Sequence, residues 1–99
     1  MFRLTVVDSS SEEKWILQGQ LTREFASELI ANWRVSLDRS PNRSRVVDLS
    51  DVTMIDKSGE AALLEMIRHH AKFVATGLYT RVLLEELQAR VRGEKQKTD

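Results

Sequence analysis

Residues Arg45 to Ile67 read RVVDLSDVTMIDKSGEAALLEMI, and the fold is decided there. Arg45 to Leu49 is a short β-branched and apolar run, which predicts a strand buried on both faces. Ser58 to Ile67 places Ala61, Leu64 and Ile67 three residues apart with Leu63 beside them, which is one face of a helix. Between them, Asp51 to Gly59 reads as a strand-to-helix turn holding Asp51, Thr53, Asp56, Lys57, Ser58 and Gly59. Such turns are where an open α/β sheet presents its chemistry.

Upstream, Phe2 to Val7 alternates with period two, the pattern of a strand at a sheet edge. Asp8 to Glu13 is polar and turn-prone, and Trp15-Ile16-Leu17 resumes an apolar run, so a hairpin with a loop longer than the tightest type is expected. Gly19-Gln20-Leu21-Thr22 closes the second strand, with Thr22 as N-cap of the next helix. Phe25, Ala26, Leu29, Ile30, Trp33 and Leu37 recur at helical steps from about Arg23 to Leu37 or Asp38. Pro41 and its neighbours end that helix.

Downstream, His69-His70 terminates the second helix, where positive charge is favoured. Adjacent helical positions point about 100° apart, so the pair cannot chelate one metal ion together. Lys72 to Thr76 reads as a last short strand and Gly77 as its break. A final helix begins near Tyr79 or Thr80, with Leu83, Leu87 and Val91 on one side. Arg92 to Asp99 is charged, has no apolar period, and is expected to fray. The order β-β-α-β-α-β-α makes strands two to four parallel through two right-handed crossovers and the first strand antiparallel.

Ninety-nine residues form one domain able to bury a core without staples. There is no cysteine, hence no disulfide framework or thiolate metal site. Fifteen basic and fifteen acidic residues cancel, and no basic stripe marks duplex nucleic acid as a partner. No apolar run approaches a membrane span, and the start lacks the apolar core of a signal peptide. A soluble, cytoplasmic domain is expected.

Asp48-Leu49-Ser50-Asp51-Val52 followed by Asp56-Lys57-Ser58-Gly59 resembles the STAS family, the domains of sulphate transporters and anti-sigma-factor antagonists. The family pattern is an apolar strand ending D-L-S-x-V, then D-x-S-G opening a helix. The resemblance covers residues 1–92 and leaves 93–99 as a polar C-terminal tail. It implies a STAS-like α/β domain, a mixed four-stranded sheet with packed helices, that binds proteins and is not an enzyme. In the antagonist branch the serine before the glycine, here Ser58, is phosphorylated. The implied partner is an anti-sigma factor that is itself an ATP-dependent serine kinase, whose capture releases a sigma factor. That kinase would supply ATP and magnesium, so no cofactor is expected in this chain. Homodimer formation is left open.

The partner surface is then expected on Asp51, Thr53, Asp56, Lys57, Ser58, Gly59, Glu60, Glu65 and Arg68. Chemistry alone gives plainer readings of the same residues. Ser58 suits the first turn of a helix and Asp56 suits its N-cap. Asp48, Asp51 and Asp56 are acidic turn residues before they are magnesium ligands. Trp15 and Trp33 are packing residues. Gly59 lacks a Cβ and would let a partner approach the backbone. Three positions depart from the family pattern: Thr22 stands where many antagonists carry an acid, Lys57 occupies the middle of the D-x-S-G motif, and Glu60 replaces a frequent leucine. Lys57 and Glu60 favour an alternative, an unphosphorylated STAS adaptor subunit of a larger signalling or transport assembly. An enzyme is disfavoured, because Gly19, Gly59, Gly77 and Gly93 form no phosphate loop and no nucleophile set assembles.

Overall fold

The computed structural model describes residues 1–96. The elements are β1 (Phe2–Asp8), β2 (Glu12–Leu21), α1 (Arg23–Arg39), β3 (Ser44–Ile55), α2 (Lys57–Arg68), β4 (Lys72–Val74) and α3 (Leu78–Gln96). The sheet runs β1-β2-β3-β4, with β1 antiparallel to β2 and the other neighbours parallel. This is the expected mixed topology. Because the order advances one strand at a time, two right-handed crossovers place α1 and α2 on the same face.

The largest departure from expectation is the length of β3. Asp51 to Ile55 is not a turn: it continues the strand and pairs with Gln18 to Leu21 of β2. Two bulges explain the misreading. Asp48 to Asp51 lies opposite Ile16 to Gln18, and Val52 to Met54 lies opposite Gly19 to Gln20, so β3 holds one extra residue at each place. Each extra residue shifts the alternation by one, which breaks the period-two signal while preserving the buried face. Trp15 thus meets Val47, Gly19 meets Val52 and Leu21 meets Ile55, and Trp15, Val47, Leu49, Val52, Leu21 and Ile55 are all buried. At the first bulge the Asp48 carboxylate accepts the Ser50 N–H at 2.9 Å.

Other boundaries move less. The hairpin loop shrinks to Ser9-Ser10-Ser11, because Glu12 and Glu13 already lie in β2. Strand β4 stops at Val74. Helix α3 starts at Leu78 and continues through Gln96, beyond the end of its apolar spacing, so part of the expected tail is helical. Residues 97–99 of that tail lie outside the described residues. Thr22 is the N-cap of α1 by position, but its side chain makes no capping bond.

Ala26, Leu29 and Trp33 of α1, Ala62, Leu63 and Met66 of α2, and Leu87 of α3 join the strand residues in one core. Trp15 and Trp33 meet edge to face, centroids 5.2 Å apart. Beside them lies a buried polar cluster. Glu13 Oε1 accepts from Trp15 Nε1 at 2.6 Å and Ser36 Oγ at 2.7 Å. Arg45 Nε lies 3.3 Å from the same oxygen. Arg45 also donates to the carbonyls of Ser36 and Ser40, both at 2.8 Å, as second donor beside the backbone N–H groups of Ser40 and Arg43 at the C-terminus of α1.

Candidate functional site

The site is built around the start of α2, and Asp56 organises it. Its extended backbone places it as N-cap, and Oδ1 accepts the Gly59 N–H at 2.9 Å. Its other oxygen, Oδ2, accepts the Arg23 N–H at 3.0 Å. One carboxylate therefore caps α2 and also takes the first N–H of α1, whose own N-cap Thr22 makes no side-chain bond. The Asp56 N–H in turn donates to the Leu21 carbonyl at 3.2 Å, which fixes the junction to the end of β2.

Asp56→Ala removes both capping bonds. We expect a loss of about 1–3 kcal/mol in urea unfolding, since single caps are worth about 0.5–2 kcal/mol. Asp56→Asn keeps only one acceptor oxygen and should recover only part of this loss. An alanine variant as stable as the parent would show that the double cap contributes nothing.

Ser58 is the second residue of α2 and is half-buried. Its hydroxyl makes no hydrogen bond among the described residues. It lines a groove of about 270 Å³ between α1 and α2, whose walls include Ala26, Ile30 and Ala62. Arg34 and Glu65 line the same groove and form a two-pronged pair, Nε to Oε2 at 2.8 Å and NH2 to Oε1 at 2.7 Å. The Arg34 hydrogen bonds hold the Glu65 carboxyl below its ordinary value against its partial burial.

The expected contact residues fall into three groups. Lys57, Asp51 and Thr53 are exposed, Lys57 in the first turn of α2 and the other two on β3. Glu60, Glu65 and Arg68 are engaged within the domain. Glu60 lies 3.6 Å from Arg90, Arg68 grips Glu94 with both prongs, and Glu65 holds Arg34. Helix α2 is thus tied to α1 on one side and to α3 on the other. Gly59 forms a third group alone. It is buried, and a Cβ there would lie 2.4 Å from the Leu21 carbonyl oxygen and 2.9 Å from Ile55 Cγ2. The missing Cβ serves close packing inward, which corrects the expectation that it admits a partner.

Met54, Leu78, Tyr79 and Val82 are the residues that the sequence reading did not assign to the site. All are large hydrophobics left exposed. Tyr79 accepts the Ile55 N–H at 3.1 Å and donates to the Ile55 carbonyl at 3.2 Å, so the start of α3 docks on the last residue of β3. Leu78 and Val82 stand one turn apart on α3. The available signal was that spacing, outside the Leu83-Leu87-Val91 stripe.

Asp48 lies in β3 and Asp56 at the helix start. Among the described residues no cluster of His, Cys, Asp or Glu is arranged to hold a metal ion. Hydrogen bonds from Ser50 and the Lys14 charge outweigh partial burial and keep the Asp48 carboxyl below its ordinary value. At the far end of α2, His70 takes a left-handed backbone, φ 65°, and stops the helix as expected.

Solved structures show the same architecture. The unphosphorylated form of SpoIIAA, an anti-sigma factor antagonist, superposes with a TM-score of 0.66 at 16% identity, over 94% of this chain and 99% of that one. A protein from Shewanella loihica PV-4 described as having a SpoIIAA-like fold gives 0.56 at 13% identity, over 80% and 71%. A structure named Mglu gives 0.57 at 19% identity, over 74% of this chain and 19% of that one. No family model and no curated protein sequence matches the chain. The domain has the STAS fold of the SpoIIAA type. No helix among the described residues is long and apolar enough to cross a membrane.

Proposed function

We propose that this chain is a protein-binding module of the anti-sigma-factor-antagonist kind, switched by phosphorylation of Ser58. The observation that carries the reading is the Ser58 hydroxyl itself, unbonded in the first turn of α2. A phosphate there meets the positive end of the helix, so the modified chain stays folded. Glu60, which would repel that phosphate, has its charge offset by Arg90. Exposed Met54 on β3 and Leu78, Tyr79 and Val82 on α3 are apolar surface available as anchors elsewhere on the domain. The partner in this reading is an ATP-dependent serine kinase that also restrains a sigma factor, held by the unphosphorylated chain and released by the phosphorylated one.

Ser58→Ala and Ser58→Asp test it with matched thermal melts. The alanine form should fold, bind the kinase and resist phosphorylation. Aspartate at a helix N-terminus should leave the melt unchanged or raise it. Its binding should weaken at least roughly tenfold, because the added charge meets the interface without a counter-charge. Equal binding by both variants, with no phosphate on Ser58 after incubation with kinase and ATP, would replace the switch with a constitutive adaptor.

A further inference from the structure

We propose that the chain forms a two-fold dimer through β1, its two sheets joined edge to edge in antiparallel register about Thr5. The proposal is independent of the Ser58 reading. Strand β1 ends the sheet order, so one of its sides has no neighbouring strand among the described residues. The Met1 carbonyl accepts the Gln20 N–H at 3.0 Å, and Phe2 lies opposite Gly19. In an antiparallel ladder the bonded positions alternate. Met1, Arg3, Thr5 and Val7 therefore turn their backbone groups toward β2, while Phe2, Leu4, Val6 and Asp8 turn theirs outward. The usual protections of an edge are missing from Phe2 to Val7: there is no proline, no bulge and no charge on the helix side.

The helix side of this edge is under-covered. Leu4, Val6 and Val35 line a crevice of about 270 Å³ that reaches down to buried Trp15. Val6 is 43% exposed and Val35 on α1 is 55% exposed. With the two-fold at Thr5, Leu4 of one copy lies opposite Val6 of the second, and Phe2 opposite Asp8. Every outward-turned residue then meets another outward-turned residue, and the Leu4–Val6 pairs close both crevices.

Charge complementarity selects a second copy over a foreign strand. Glu28, Asn32, Val35 and Arg39 form one exposed stripe of α1 on the β1 side, with the acid toward the helix start and the base toward its end. Asn32 shares its crevices with Leu4, so it stands near the level of the axis. The axis sets the two α1 helices antiparallel, and Glu28 of each copy faces the Arg39 end of the other. A foreign strand would satisfy the edge and leave this stripe unmatched.

Sedimentation equilibrium on the full chain, from micromolar to millimolar, tests the idea together with amide hydrogen exchange. A dimer is expected, with exchange at Leu4 and Val6 slowing as concentration rises. Val6→Lys should give a monomer whose melt no longer depends on concentration and matches that of the parent diluted to its monomeric range. Glu28→Arg or Arg39→Glu alone should weaken the dimer about tenfold, by setting like charges together, and the double exchange should restore it. A wild-type monomer at millimolar concentration, or a dimer indifferent to Val6→Lys, would overturn the proposal. So would protection of the edge amides that appears only when a different protein is added.

Discussion

Arg45→Met should destabilise the domain by about 3–5 kcal/mol, the range found when one partner of a buried ion pair is removed. Arg45 is 5% exposed. Its loss leaves the Glu13 carboxylate with hydrogen bonds from Trp15 and Ser36 but no counter-charge. It also removes one of the two donors at each of the Ser36 and Ser40 carbonyls at the end of α1. A partner change distinguishes lost charge from lost packing. Glu13→Gln keeps an acceptor for Trp15 and Ser36 but removes the charge, so Glu13→Gln with Arg45→Met should recover a large part of the loss. The same cluster sets an acid limit. Burial pushes the Glu13 carboxyl up, but the Ser36 and Trp15 hydrogen bonds and the Arg45 charge outweigh it, and the net shift is downward from 4.5. A group lowered on folding stabilises the native state above its unfolded value and ceases to do so as pH falls through the folded one. Stability should therefore decline below about pH 4.5, and more shallowly in Glu13→Gln. Urea unfolding across pH measures both, and a loss below about 1 kcal/mol for Arg45→Met would remove the cluster from any account of stability.

Gly59→Ala is the second substitution with a large expected effect, and its sign is diagnostic. Helix propensity alone predicts a gain of about 1 kcal/mol when alanine replaces glycine inside a helix. The packing predicts the opposite. The new Cβ would sit 2.4 Å from the Leu21 carbonyl oxygen, a backbone atom that also receives the Asp56 N–H. Relief requires α2 to lift from β2, loosening the Asp56 caps. Overpacking of this kind costs about 1–3 kcal/mol. Gly93→Ala is the control: it lies within α3 with nothing within 4 Å of a built Cβ, so propensity should act there unopposed. A Gly59→Ala variant more stable than the parent would show that the junction yields easily.

These contacts also show what was legible in the sequence. Helices α1 and α2 were, because their apolar residues keep a helical period, and the strand order followed from short crossovers. The buried face of α2, however, is Ala62, Leu63 and Met66, with Ala61 exposed. Arg45 to Leu49 is buried on one face only, since α1 and α2 cover the same side of the sheet. The length of β3 was not. Its two bulges leave Val52 and Ile55 three apart, a spacing that mimics a turn or a helix start. Asp56 as the cap of its own helix was legible from local order. Its bond to Arg23 was not, since the two are 33 residues apart. Glu65 and Arg68 looked free because their partners, Arg34 and Glu94, lie on other helices. Gly59 was read outward because no local pattern reports how closely β2 passes beneath it.

The shared carboxylate of Asp56 also bears on the order of events during folding. A helix begins with a costly nucleus, and capping is one of the few local aids to it. Helix α1 lacks that aid in its own segment, because the Thr22 side chain bonds nothing at the cap. Its missing acceptor arrives only when β3 has docked beside β2 and the intervening loop has closed, a step governed by chain entropy. The first N–H of α1 therefore gains this acceptor only once the parallel strand pair has formed, which couples the start of α1 to the start of α2.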